Sequence, residues 1–153
     1  MCTPFQLTCT AWATVRESLR EVNPRPRVVH VSPALFGPQG LLGGGERYAL
    51  ELSRAMAERV PTTLVSFDSA PRVEQAGRLE IRVLRNWLPF RRFAVDPLNP
   101  ALLSELAHAG IIHYHQTRTM LSSLALLYAR TRRIPIYGTS LGGGGLALPR
   151  EVP

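Results

Sequence analysis

The chain predicts an α/β fold, a Rossmann-like and mostly parallel sheet flanked by helices. Three observations carry that expectation. Short β-branched apolar runs recur along the sequence, helical stretches lie between them, and the spacing suits right-handed crossovers better than hairpins. Composition agrees: 153 residues, 45% hydrophobic and 19% charged, amount to about one globular domain able to bury a core.

Residues 1–26 stand apart. Residues 13–22 suit a short helix, and Asn23-Pro24-Arg25-Pro26 stops it and reads as a linker. Residues 1–26 are therefore expected to be an N-terminal extension, with the domain over 27–153. Val28-Val29-His30-Val31 is a short β-rich run of the kind buried in parallel sheets. A loop with Pro33, Gly37, Pro38 and Gly40 leads into Gly43-Gly44-Gly45. From Gly45 a helix places Ala49, Leu52, Ser53, Met56 and Val60 on one face, with Glu51, Arg54 and Glu58 opposite, and Pro61 ends it.

Residues 63–67 form the second buried-strand candidate. Residues 79–84 alternate Glu80 and Arg82 against Ile81 and Val83, the pattern of a half-exposed edge strand. Residues 85–97 are irregular and mix Trp87, Phe90 and Phe93 with Arg85, Arg91 and Arg92, as a surface loop would. Asn99 as N-cap and Pro100 at the first helical position start a helix to about Ala109. Residues 111–115 read as a strand and 117–130 as an apolar helix through Leu121, Leu124, Ala125 and Tyr128. Residues 135–138 are the last strand, with proline tolerated at its start.

The formal charge of +7 comes from eighteen basic residues, all arginine, scattered along the chain. No basic stripe or aromatic-basic module is legible, so no nucleic-acid partner is expected. Cys2 and Cys9 both lie in the first ten residues, too close to staple the domain and without partners at zinc-ligand spacing. No stretch reaches membrane-spanning length, and the start lacks a signal peptide's basic region. A cytoplasmic protein is expected.

In parallel sheets, ligands bind beyond the carboxyl ends of the strands, at the switch in strand order. Three unusual segments are expected on that rim: Gly43-Gly44-Gly45-Glu46, His115, and Thr139 with the glycines from Gly142. Glycines opening a helix offer close backbone approach, unpaired N–H groups and a partial positive charge, which suit phosphate. A dinucleotide fingerprint fits poorly. Tyr48 stands where a third glycine is needed, and about eleven residues separate the strand from the glycines. No Gly-Lys-Ser/Thr of a nucleoside-triphosphate loop is present.

The order of segments resembles the N-terminal domain of the GT-B glycosyltransferases, specifically the retaining type of family 4. The matching residues are Pro33 through Gly44-Gly45-Glu46-Arg47, then Leu50-Glu51-Leu52-Ser53-Arg54-Ala55-Met56-Ala57, then Gly110-Ile111-Ile112-His113-Tyr114-His115. Thr139-Ser140-Leu141-Gly142 matches a later stretch loosely. Gly110 replaces the family's usual acid, and Ser140-Leu141 replaces its polar or histidine residues.

The resemblance implies transfer of a sugar from a nucleotide-sugar donor to a sugar or lipid-linked acceptor. His115 would face the transferred sugar. Gly43, Gly44, Gly45 and Glu46 would cradle the donor diphosphate, and Thr139, Gly142 and Gly143 would line the acceptor or sugar pocket. His113, on the same strand face, is expected to lie deeper and to pack in the core. No cofactor and no metal are expected, since no Asp-x-Asp pair is present. The resemblance covers about 27–146, an incomplete acceptor-side half. The C-terminal nucleotide-sugar domain would be its physical partner, and the isolated chain is expected to be inactive. The segment from Arg85 to Phe93 makes peripheral contact with a membrane a further expectation. Two alternatives stay open: a non-catalytic Rossmann-like binding module or remnant, and, more distantly, a dinucleotide-dependent oxidoreductase.

Overall fold

The computed structural model describes residues 26–35, 44–87, 97–117 and 119–140. The expected helix in residues 13–22, most of the aromatic-basic loop, Gly43, Gly142 and Gly143 lie outside the described residues. In chain order the elements are β1 (Val28–Leu35), α1 (Gly44–Ala57), β2 (Thr62–Asp68), β3 (Arg72–Ala76), β4 (Leu79–Arg85), α2 (Leu102–Leu106), β5 (Ile111–His115), α3 (Met120–Arg132) and β6 (Ile136–Thr139). They form one six-stranded sheet in the order β3-β4-β2-β1-β5-β6, parallel except for β3. The mostly parallel α/β expectation is met.

Each face of the sheet is covered by helices, because residues in parallel register point the same way and alternate along each strand. One face buries Val29, Val31, Val65, Phe67 and Ile112 against Leu102 and Leu106 of α2 and Leu121, Ala125 and Ala129 of α3. The other buries Leu64, Leu79, Ile81 and Val83 against Ala57 of α1, with Leu50 packed alongside. Among the described residues no helix is long and apolar enough to cross a membrane.

Local chemistry explains several element ends. Thr119 caps α3 through a reciprocal pair of bonds: its hydroxyl accepts from the Ser122 N–H, and Ser122 Oγ accepts from the Thr119 N–H. The helix stops at Arg133 in the left-handed conformation. Asn99 accepts from the Ala101 N–H and donates to the Arg85 carbonyl, capping the turn ahead of α2. That helix is only Leu102–Leu106, shorter than the sequence implies.

Two other expectations change. Residues 79–84 do alternate, with Leu79, Ile81 and Val83 buried, but β4 is not an edge strand. β3 pairs antiparallel outside it through a tight turn at Gly77 and Arg78. The half-exposed polar residues of β4 reflect ion pairing, Arg82 with Glu80 and with Glu105 of α2, and not an open edge. The departure at Gly110 has a steric reason. A Cβ there would lie 2.5 Å from Pro26 Cβ and 3.0 Å from Pro26 Cα, so the acid usual at this position has no room.

Candidate functional site

Chain order puts the switch between β1 and β5. From β1 the sheet runs through β2 to β4 in one direction and through β5 to β6 in the other. A crevice beyond the strand ends at such a point is the default ligand position in this architecture. The side chains on the α1 face around it are unusually polar for the middle of a parallel sheet. They include His30 and Ser32 of β1, Ser66 of β2, Ser53 of α1 and His115 of β5, all buried.

Register builds the centre of this patch. His30 of β1 stands opposite His113 of β5, and His115 follows two residues on, so all three imidazoles share one face. Their ring centroids lie 5.0 Å (His30–His113), 5.2 Å (His30–His115) and 4.4 Å (His113–His115) apart. His30 Nδ1 and His115 Nε2 are 2.9 Å apart and share one hydrogen bond. His113 Nε2 bonds Thr139 Oγ1 at 2.7 Å.

Burial holds all three rings neutral. Desolvation, then repulsion from His115 and His113, lowers His30 to about 3. Desolvation followed by repulsion from His113 lowers His115 to about 4. Desolvation also lowers His113. A hydrogen bond between two neutral imidazoles then fixes what happens at their far nitrogens. Whichever ring donates, one far nitrogen carries a proton and the other is bare. Those far atoms, His30 Nε2 and His115 Nδ1, are buried and have no hydrogen-bond partner among the described residues. An unsatisfied buried polar atom costs about 1–3 kcal/mol.

Among the described residues, Tyr48 of α1 and the ends of β5 and β6 approach one another. The Tyr48 ring, one turn into α1, lies edge-on to His115 at 6.1 Å. The ends of β5 and β6 are joined by Gln116 N–H donating to the Thr139 carbonyl at 2.8 Å and by Thr117 Oγ1 to Ser140 Oγ at 3.3 Å. Gln116, immediately after His115, has φ 90°, a conformation rare outside glycine that clusters at functional sites. At the start of α1, Gly44 is exposed, and a Cβ added there would meet no described atom within 4 Å. Gly45 and Glu46 are half-buried.

One placement differs from the sequence reading. His113 does share the face of His115, but burial runs the other way: His115 is 1% exposed and His113 only partly buried. His115 lies between His30 and the Tyr48 ring, whereas His113 faces β6. His30 was hidden in an apolar run and no motif flags it. The pattern that exposes it is polar residues at alternate positions of two strands, which matters only once their register is known.

A family model described as Glycosyltransferase Family 4 matches residues 42–140. No curated protein matches the chain, and no solved structure does.

Proposed function

Because the chain belongs to glycosyltransferase family 4, as the match over residues 42–140 shows, we propose that it is the acceptor-side part of an enzyme moving a sugar from a nucleotide-sugar donor to a sugar or lipid-linked acceptor. The single observation that supports this reading beyond the family is the polar patch at the β1/β5 switch point, where the Tyr48 ring of α1 lies against His115 and Thr139 bonds His113. In the proposed mechanism the departing diphosphate gathers negative charge at the backbone N–H groups of Gly43, Gly44, Gly45 and Glu46. Such preorganised donors contribute on the order of 3 kcal/mol each to a developing anion. His115, neutral at pH 7, offers a hydrogen bond to the transferred sugar without adding a charge. Thr139 serves the acceptor or sugar pocket, a role the proposal extends to Gly142 and Gly143, which lie outside the described residues. The nucleotide is held by a second domain, so the chain alone turns nothing over.

One observation favours the alternative of a non-catalytic binding module: at 1% exposure, His115 touches no solvent in this conformation. For the enzymatic reading the Tyr48 ring, itself 45% exposed, must swing off His115 to admit a sugar.

The test is release of nucleoside diphosphate from a panel of uridine, guanosine and adenosine diphosphate sugars. It is run on the protein produced from the gene in its own cell and on the 153-residue chain alone. Turnover by the former that falls at least ~100-fold in His115→Ala, with none from the latter, is the expected result. Absence of turnover from every donor by the natural product would overturn the enzymatic reading. Turnover by the isolated chain would overturn the need for a second domain.

A further inference from the structure

We propose that His30, His113 and His115 together bind one divalent transition-metal ion, of which zinc is the best chemical match. The inference goes beyond sugar transfer and does not depend on it. It also differs from a diphosphate-bridging metal, since the ligands are buried imidazoles and not carboxylates at the rim.

Two features of the cluster point to an ion, and a third is compatible with one. The first is convergence. Each of the three residues offers a ligand nitrogen, and these nitrogens all lie within 4.8 Å of one another. A zinc–nitrogen bond of about 2.0–2.1 Å in tetrahedral geometry sets ligand nitrogens about 3.3 Å apart. The His30 Nδ1–His115 Nε2 pair at 2.9 Å needs to open by a few tenths of an ångström, and His113 needs to close inward. The His113 shift is a rotamer-scale movement of a half-buried ring, and the His30–His115 opening is a small tilt of two buried ones. Three imidazoles with a fourth position open are a known zinc ligand set, and imidazole likewise suits cobalt and nickel.

The second feature is the outer partner. Thr139 Oγ1 holds Nε2 of His113 and leaves its other nitrogen for an ion. Histidines that ligate metals are commonly fixed in this way at the nitrogen facing away from the metal.

The third is the unpaired pair of atoms. His30 is wholly buried, yet its Nε2 has no partner among the described residues, and His115 Nδ1 has none there either. In the metal-free protein the shared proton forces one of the two to be a bare nitrogen and the other an N–H. An ion on the near nitrogens makes both far atoms N–H donors, so it lifts that asymmetry without pairing them, and it replaces one hydrogen bond by two coordinate bonds. The core gains a reason to hold three polar rings where leucine or valine would pack better. Ligation would also take His115 from any sugar, so zinc would inhibit transfer and compete with substrate.

The experiment uses the full chain, untagged, with Cys2→Ser and Cys9→Ser so that no thiol competes. Cobalt(II) is titrated while its visible d–d absorption is followed, and zinc is then added to displace it. The expected result is one cobalt per chain with the intense band of a tetrahedral site, abolished by one equivalent of zinc. Thr139→Ala weakens binding by about 10–100-fold, as outer partners do, and His113→Gln by more. His108→Gln, an exposed histidine outside the cluster, leaves it unchanged. His30→Gln risks the fold, so the decisive variant is His113→Gln with native far-ultraviolet circular dichroism. Failure of the parent chain to bind cobalt stoichiometrically would overturn the proposal. Binding of equal affinity in folded His113→Gln would do the same.

Discussion

Gly138→Ala tests how tightly the two strands that carry the site are packed. Gly138 has no positive φ, so alanine brings no backbone strain of its own. The obstacle is the Tyr114 ring of β5. A Cβ at 138 would lie 2.6 Å from Tyr114 Cε2 and would overlap Cζ and the hydroxyl. Either the ring leaves its place on the α3 face or β6 moves away from β5. The second route strains the bonds from Ile112 N–H to the Pro135 carbonyl and from Gln116 N–H to the Thr139 carbonyl. Overpacking of this kind costs about 1–3 kcal/mol. The stiffer unfolded chain returns about 0.4–1 kcal/mol when glycine becomes alanine. The net loss is thus about 1–2 kcal/mol. With a urea slope of about 1–3 kcal/mol per molar, the unfolding midpoint falls by roughly 0.5–1 M, read by circular dichroism. In a Tyr114→Ala background the obstacle is gone, and Gly138→Ala is expected to be neutral or mildly stabilising. The coupling energy of that cycle, about 1–3 kcal/mol, isolates the clash. A single variant within about 0.5 kcal/mol of the parent, or equal losses in both backgrounds, would refute the reasoning.

Three further outcomes follow from the same structure. In chelator, stability is expected to fall as pH drops from 6.5 toward 4, because the unfolded chain binds protons that native His30 and His115 refuse until about 3 and about 4. Each contributes up to about 1.4 kcal/mol per pH unit, and an equal slope in a folded His115→Gln variant would exclude that residue as a source. Thr119→Ala removes one half of the α3 capping box and is expected to cost about 0.5–2 kcal/mol in urea unfolding, with Ser at the same position restoring it. Phe67→Ala, emptying a fully buried ring site between the sheet and its helices, is expected to cost about 3–5 kcal/mol by the same measurement.

The parts of the fold legible in the sequence are those with a local cause. β2 and β5 were readable because their apolar runs are bounded by turn residues, and α1 because Gly44 and Pro61 bracket a period of 3.6. β3 was not. Its residues Arg72-Val73-Glu74-Gln75-Ala76 contain one large apolar side chain, and Val73 is 65% exposed, so the strand exists by pairing with β4 and not by burial. The over-long expectation for α2 has a similar origin: Asn99-Pro100 marks a helix start correctly, and nothing local marks the early stop. Of the site, His115 and Thr139 were legible through the resemblance. His30 was not, because it meets His115 across 85 positions, and only strand register brings them together.

β3 has a consequence for what this sheet can join. Its outer rim carries Arg72, Glu74 and Gln75, with Arg72 ion-paired to both Asp68 and Glu74. A newcomer strand docking there would have to strip water from those charges before forming any ladder bond. At the opposite rim, β6 presents Ile136, Tyr137, Gly138 and Thr139, with no charge among them and Tyr137 62% exposed. Among the described strands, the uncharged rim is therefore on one side only. Whatever adds to this domain, whether more of its own polypeptide or another molecule, meets least resistance beside β6, next to the threonine that holds His113.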